Sequence, residues 1–438
     1  MIDFFEELHF EYSTIKARRA VKKTIFAVLI AACLSAVNPA LSTADSGDDV
    51  ARGKAFFIKG LYFEAADEFR KAVEADPKDI TARVYLGMAY YESGRFGPAL
   101  DTFKKVVQLA PNDRRGYNYL GFIYMDLGLL DDAVAAYTRL TEIDPTNAVA
   151  AADLGAAYYK KGKINKSVDF FKKALSIRPF SPLALKNLGF IYSVEGKWPE
   201  AIDELVLARM VDAQYSDVEF MLRDFLDRAR PFLDNWLKNS PDDPRPHYYI
   251  AYASAFKGGY FGEADWNIAM GEISKAVSLD PRNAKFCVAR ALILTLQMAF
   301  PQAIGVSKEC VALDPGDWQA WKGLAEEELA LGNAQDGLAA AEKAAEISPG
   351  VISVEENLGV AWSEKADDEK ALNHFENAAR LGARSGLLEY DLAVTYHNLK
   401  NFDMAWEHAR LAQSLGYGDA DRLIKELESV SKEPAVYP

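Results

Sequence analysis

The chain has 438 residues, half of them hydrophobic and 26% charged, with a formal net charge of −14. That composition is ordinary for a folded, water-soluble chain, and the acidity serves solubility. A surface this acidic repels phosphate backbones, which speaks against nucleic acid as a partner.

Residues 1–44 read as an N-terminal extension and a signal peptide. Lys22-Lys23-Thr24 precede an apolar run from Ile25 to Val37, and Asn38-Pro39 and Ser42-Thr43-Ala44 follow it. A basic start, a short apolar stretch and small residues at a cleavage spacing make a secretory signal cut after Ala44. The run falls short of the ~20 residues that span a bilayer. Ile30-Ala31-Ala32-Cys33 offers a rival reading. It resembles a lipobox, which would make Cys33 the lipidated first residue of an outer-membrane lipoprotein. An uncleaved anchor is a third reading. Residues 1–20 are acidic and aromatic (Phe4, Phe5, Glu6, Glu7, Phe10) and fit poorly ahead of a signal, so a start at Val21 through a non-AUG codon is expected. Each reading exports the rest of the chain, to a bacterial periplasm. Contact with a membrane is expected only through such an anchor or lipid. The segment holds five basic and four acidic residues, so its removal would leave a net charge of −15.

From 45 to 215 a pattern returns every 34 residues, marked by Pro77, Pro111, Pro145 and Pro179. One copy has Leu86, Gly87, Tyr90, Gly94, Ala99 and Phe103. The next has Leu120, Gly121, Tyr124, Gly128, Ala133 and Tyr137. A third has Leu154, Gly155, Tyr158, Gly162, Ser167 and Phe171, and a fourth Leu188, Gly189, Tyr192, Gly196, Ala201 and Leu205. A weaker copy precedes them at Gly53, Gly60, Ala65, Phe69 and Pro77. A fixed period of this length signals a repeat array. Apolar spacing predicts two helices per unit. The central glycine ends the first helix in a left-handed conformation. Small residues such as Gly87 and Ala99 let the two helices approach, and the proline closes the second.

Residues 216–244 break the period, and Pro231 is expected to kink or split their helices. Pro241-Asp242-Asp243-Pro244 form a turn. This stretch reads as an irregular joint, either an eroded repeat or a hinge between two segments. The pattern resumes at 245–419, first in a degenerate copy with an aromatic insertion around Gly258–Trp266, then in copies carrying Trp321, Leu358-Gly359 and Leu392-Ala393. Cys287 and Cys310 fall on the two helices of one such hairpin. Either they form a disulfide, as export would allow, or they are small buried thiols in place of alanine. Residues 420–438 read as a capping helix and tail, with Leu423, Ile424, Leu427 and Val430 placed to cover the last repeat. Self-assembly through Asp421–Val430 is the alternative.

These copies in register resemble the tetratricopeptide repeat. The resemblance implies an all-α, right-handed superhelical solenoid of about ten helical hairpins in two segments. It also implies that the first helix of each hairpin lines a concave face that binds protein. The inward positions are then Val84, Met88, Tyr91, Asn118, Phe122, Met125, Tyr159, Lys186 and Phe190, an apolar and aromatic stripe of the kind that marks interaction sites. The competing reading is that these side chains pack on adjacent repeats. Matching positions in the C-terminal array are more polar (Lys322, Glu326, Glu356, Glu364, Tyr390, His397, Asn398) and point to a different partner or none. Arrays that grip a chaperone's terminal carboxylate use Lys and Asn on three successive first helices. Here those places hold Val50 and Lys54, or Lys186 and Phe190, so that subfamily does not match.

No catalytic or cofactor motif stands out. His9, His247, His374, His397 and His408 have no metal-ligand spacing and no acidic partner in an obvious pattern. There is no phosphate loop, nucleophile elbow or CxxC. The expected function is a non-catalytic envelope scaffold that needs no cofactor or metal and docks a partner peptide or helix. The alternatives are a substrate-capture subunit of an envelope protease or glycosyltransferase complex, and a self-assembling scaffold.

Overall fold

A computed structural model describes residues 46–431 apart from 59, 213–215, 257–264 and 384. The signal peptide, Cys33 and most of the aromatic insertion (257–264) lie outside the described residues. Among the described residues there are 22 helices and no strand. The chain divides between Pro179 and Phe180 into two compact units. The division falls inside the 45–215 stretch.

The first unit contains four hairpins. They are α1 (Ser46–Ile58) with α2 (Tyr62–Ala75), α3 (Ile80–Glu92) with α4 (Phe96–Leu109), α5 (Arg114–Asp126) with α6 (Leu130–Ile143), and α7 (Ala148–Lys160) with α8 (Ile164–Ile177). The second unit opens with the hairpin α9 (Pro182–Val194) and α10 (Trp198–Val211), followed by α11 (Ser216–Asn239). It continues with α12 (Pro244–Phe256) and α13 (Trp266–Leu279), α14 (Ala284–Leu296) and α15 (Phe300–Leu313), and α16 (Trp318–Ala330) and α17 (Ala334–Ile347). The last pairs are α18 (Ile352–Glu364) with α19 (Asp368–Leu381) and α20 (Gly386–Asn398) with α21 (Phe402–Ser414), closed by α22 (Ala420–Val430).

The period is built from three local devices. Two residues after each proline, a short polar side chain caps the next first helix. Asp79 accepts from the Ala82 amide, Asp113 from Arg115 and Gly116, and Asn147 from Ala150, which satisfies donors that helix geometry leaves orphaned. At the other end, Gly94, Gly128, Gly162, Gly196 and Gly332 adopt positive φ, as expected. In three later units the same place holds Met298, Ala366 and Lys400, with φ near +60° (58°, 58° and 61°). A side chain there is strained. Met298 is 77% exposed and loses little packing if shortened. Met298→Gly should therefore raise stability by about 1 kcal/mol, and an unchanged or lower thermal midpoint would contradict this.

The third device joins the two helices of a hairpin through residues 16 apart. A Cβ on Gly53, Gly87, Gly121 or Gly359 would stand 2.4–2.8 Å from the ring of Phe69, Phe103, Tyr137 or Phe375. Glycine is there because an aromatic ring lies flat on the backbone. Where the first helix has alanine instead, at Ala325 and Ala393, the matching residues of the second helix are Ala341 and Ala409, and all four are buried. Where the second helix lacks a ring, the first has room for a Cβ, as close packing allows.

The joint departs from expectation in one respect. A single helix, α11, runs through Pro231 without splitting. At the C-terminus, Leu423, Ile424 and Leu427 of α22 join a core with Phe375, Leu392 and Trp406. The Trp406 indole donates to Ser431 Oγ at 3.0 Å. The apolar face of α22 is thus spent on the last hairpin, as a cap.

Candidate functional site

In the first unit, the inward positions on α3 and α5 are mostly filled rather than open. Val84 and Met88 are 2% and 3% exposed, inside a cluster with Phe57, Phe69 and Phe103. Phe122 and Met125 pack with Tyr137 and Leu154. The expected apolar stripe is therefore largely core between successive hairpins. Tyr91, Asn118 and Tyr159 are half-buried. Tyr91 donates to Asp126 at 2.7 Å. Lys186 and Phe190 are buried and belong to α9, in the second unit.

The second unit contains the less expected arrangement. Helix α10 lies against the first helices of the array that follows it. Asp203 accepts from the Tyr249 hydroxyl of α12 (3.1 Å) and from Lys285 Nζ of α14 (2.7 Å). Phe180, just ahead of α9, meets Trp318 of α16 edge-on, with centroids 5.3 Å apart. The Ser353 hydroxyl of α18 donates to the Met210 carbonyl at 2.7 Å, in a buried setting. The segment from Phe180 to Met210 thus touches four successive first helices, across sequence separations of up to 143 residues. Of the polar C-terminal positions, Glu326 interacts with the charge of Arg209 and Glu356 with that of Asp212, at the end of α10. Lys322 is buried and pairs with Glu326, whose side chain is 36% exposed.

The composition of α10 accounts for its position. Ala201, Leu205 and Ala208 pack within its own hairpin, like their counterparts in every unit. On its other face Ile202, Val206 and Met210 are also buried. The places equivalent to Val206 and Met210 hold Lys104 and Gln108 in α4, and Lys172 and Ser176 in α8, all exposed. A helix with two apolar faces must be covered on both.

Burying carboxyls in the second unit has an electrostatic cost. Burial, with the charges of Asp212 and Asp391, pushes Glu356 up to about 8, and burial pushes Asp391 up to about 7. Glu327, completely buried between α14, α15 and α16, is also pushed up by burial, to about 7. Hydroxyl hydrogen bonds from Thr295 and Ser307 oppose that shift.

Three histidines have the acidic partners that the sequence did not make obvious, His247 with Glu272 among them; the other two form a pattern. His374 pairs with Glu355 at 2.8 Å and His408 with Glu389 at 2.7 Å, both through Nδ1. Each glutamate lies 19 residues earlier, on the first helix of the same hairpin, and the two pairs are one repeat apart. Each ties the two helices of its own hairpin together. Among the described residues no group of three or more His, Cys, Asp or Glu side chains is arranged to hold a metal ion. Cys287 and Cys310 are joined as a disulfide between α14 and α15, with Cα atoms 5.6 Å apart. No described helix is long and apolar enough to cross a membrane.

Models of the tetratricopeptide repeat match residues 57–120 and 149–181, and a TPR-repeat model matches 123–162. The chain is a tetratricopeptide-repeat protein. No curated protein matches it in sequence. Among solved structures, MamA is 26% identical over 36% of this chain and 91% of its own, with a TM-score of 0.34. The Cut9–Hcn1 hetero-tetramer of APC/C is 14% identical over 90% of this chain and 92% of the other, with a TM-score of 0.44. Yeast Tom70 is 14% identical over 88% and 95%, with a TM-score of 0.39. Tetratricopeptide repeats are in general protein-interaction modules, and this chain builds them in both units.

Proposed function

We propose that this tetratricopeptide-repeat protein is a non-catalytic interaction scaffold of a bacterial cell envelope, with its partner docking along the α3–α5–α7 face that carries Asn118. The observation that supports binding most directly is the run of matched repeats over residues 57–181. Export is supported by the Lys22–Ala44 pattern and by the Cys287–Cys310 disulfide, which is at home in an oxidising compartment.

Burial changes the choice of probe. A charge at Met88 or Phe122 would sit in the core and unfold the hairpins. Asn118→Arg alters the face without that cost. The chain from Asp45 should capture a protein from envelope extract that a folded Asn118→Arg variant loses at least tenfold. Equal capture by both would place the partner elsewhere. In cells, the native protein should be periplasmic with Cys287 and Cys310 resistant to alkylation. Free thiols, or a cytoplasmic location, would remove the envelope assignment.

A further inference from the structure

The groove of the second unit has an occupant supplied by the chain itself. Asp203 sits between Tyr249 and Lys285, and the last turn of α10 reaches Ser353. Ile202, Val206 and Met210 are buried, and at the places of Val206 and Met210 helices α4 and α8 carry exposed polar residues.

The surface beneath α10 is strongly polar. Beside Tyr249 it carries Lys285, which is half exposed, Glu326 and Glu356, which are half-buried, and Lys322 and Ser353, which are buried. Permanent interfaces resemble an apolar core cut in half, and interfaces that come apart keep polar groups that stay soluble when bare. Lys285 is half exposed, so its ion pair with Asp203 contributes alignment more than affinity.

We propose that the groove lined by α12, α14, α16 and α18 is a receptor for an amphipathic helix of a partner protein, closed in the resting chain by α10. The partner helix matches what α10 presents: apolar side chains at i, i+4 and i+8 and a carboxylate at i+1, seated between Tyr249 and Lys285. This is a helix-in-groove contact read in a fixed register. The inference rests on the binding-scaffold reading for its partner, but the assay below needs no native partner, so the two fail separately.

The test uses the full chain and a labelled synthetic peptide of residues 198–212. Val206→Lys with Met210→Gln gives α10 the residues that sister helices carry, so the hairpin keeps its own core while its groove face turns polar. By fluorescence anisotropy this variant should bind the peptide at least tenfold more tightly than the wild type, whose groove is occupied. A peptide with Asp203→Lys should bind at least tenfold more weakly, and Lys285→Glu in the protein should restore it. If the double variant loses its cooperative melt, Asp203→Lys alone is the substitute. A folded variant that ignores the peptide, or that binds both peptides equally, overturns the proposal. So does a wild type that binds the peptide as tightly as the variant. Dimers of the double variant that the peptide leaves intact would make a second copy the occupant and overturn it equally.

Discussion

Phe375→Ala should destabilise the C-terminal hairpins by about 3–5 kcal/mol, and Gly359→Ala should destabilise them by about 1–3 kcal/mol through overpacking. The reason is one contact. Phe375 is 2% exposed, and a Cβ on Gly359 would lie 2.4 Å from its ring. The informative case is the double change. Gly359→Ala with Phe375→Ala recreates the pairing that the chain already uses at Ala325 with Ala341 and at Ala393 with Ala409. The added methyl then has room, so the double should cost less than the sum of the singles by at least about 1 kcal/mol. Two controls calibrate it. Gly155 faces Phe171 with more room, 3.2 Å, so Gly155→Ala should be milder. Gly271, on the exposed side of α13 with nothing near it, should gain about 0.5–1 kcal/mol as alanine. Denaturant midpoints measure all five. Additive singles would mean that the ring and the glycine do not share the space.

The second unit should lose stability as pH rises from about 5 to about 8, and Glu327→Gln should remove part of that loss. Glu327 has no exposed surface, and burial lifts its carboxyl from 4.5 to about 7. The folded state therefore holds a proton that the unfolded state releases. Its contribution is fully present below the unfolded value and is lost as pH climbs through the folded one. The full excursion corresponds to about 3 kcal/mol. Glutamine cannot ionise and keeps an oxygen for Thr295 and Ser307. The variant should match the wild type near pH 4.5 and exceed it by up to about 3 kcal/mol at pH 8. Glu356 and Asp391 shift in the same direction, so the variant retains some slope. Parallel stability curves for the two proteins from pH 5 to 8 would show that Glu327 is charged in the native state.

Much of this was legible in the residues. The 34-residue period gave the hairpins, the left-handed glycines and the capping helix, because each depends on contacts within a unit or between neighbours. The His–Glu ties were legible too, at a fixed offset of 19, but only to a reading that compared the two helices of a hairpin for charge. The binding stripe was less readable. Whether Met88 and Phe122 face a groove or a neighbouring hairpin depends on how tightly successive first helices pack, which spacing does not encode. The seating of α10 depends on the pitch of the array, summed over several hairpins. Its one sequence trace is the apolar pair Val206 and Met210 where sister helices carry polar residues, a departure visible only once the helices are aligned.

The bond from Ser353 to Met210 also acts as a ruler. Repeat arrays gain and lose whole units readily, because each interface involves only the next unit. The first unit follows that rule, and deleting 34 residues from it would join two ends that still match. In the second unit the hairpins between α10 and α18 are counted. Removing one would bring Gly386 rather than Ile352 to the start of the helix facing the last turn of α10, and adding one would carry Ser353 a full hairpin away. The two halves of the chain are therefore open to different histories. One can drift in length, and the other can change only residue by residue.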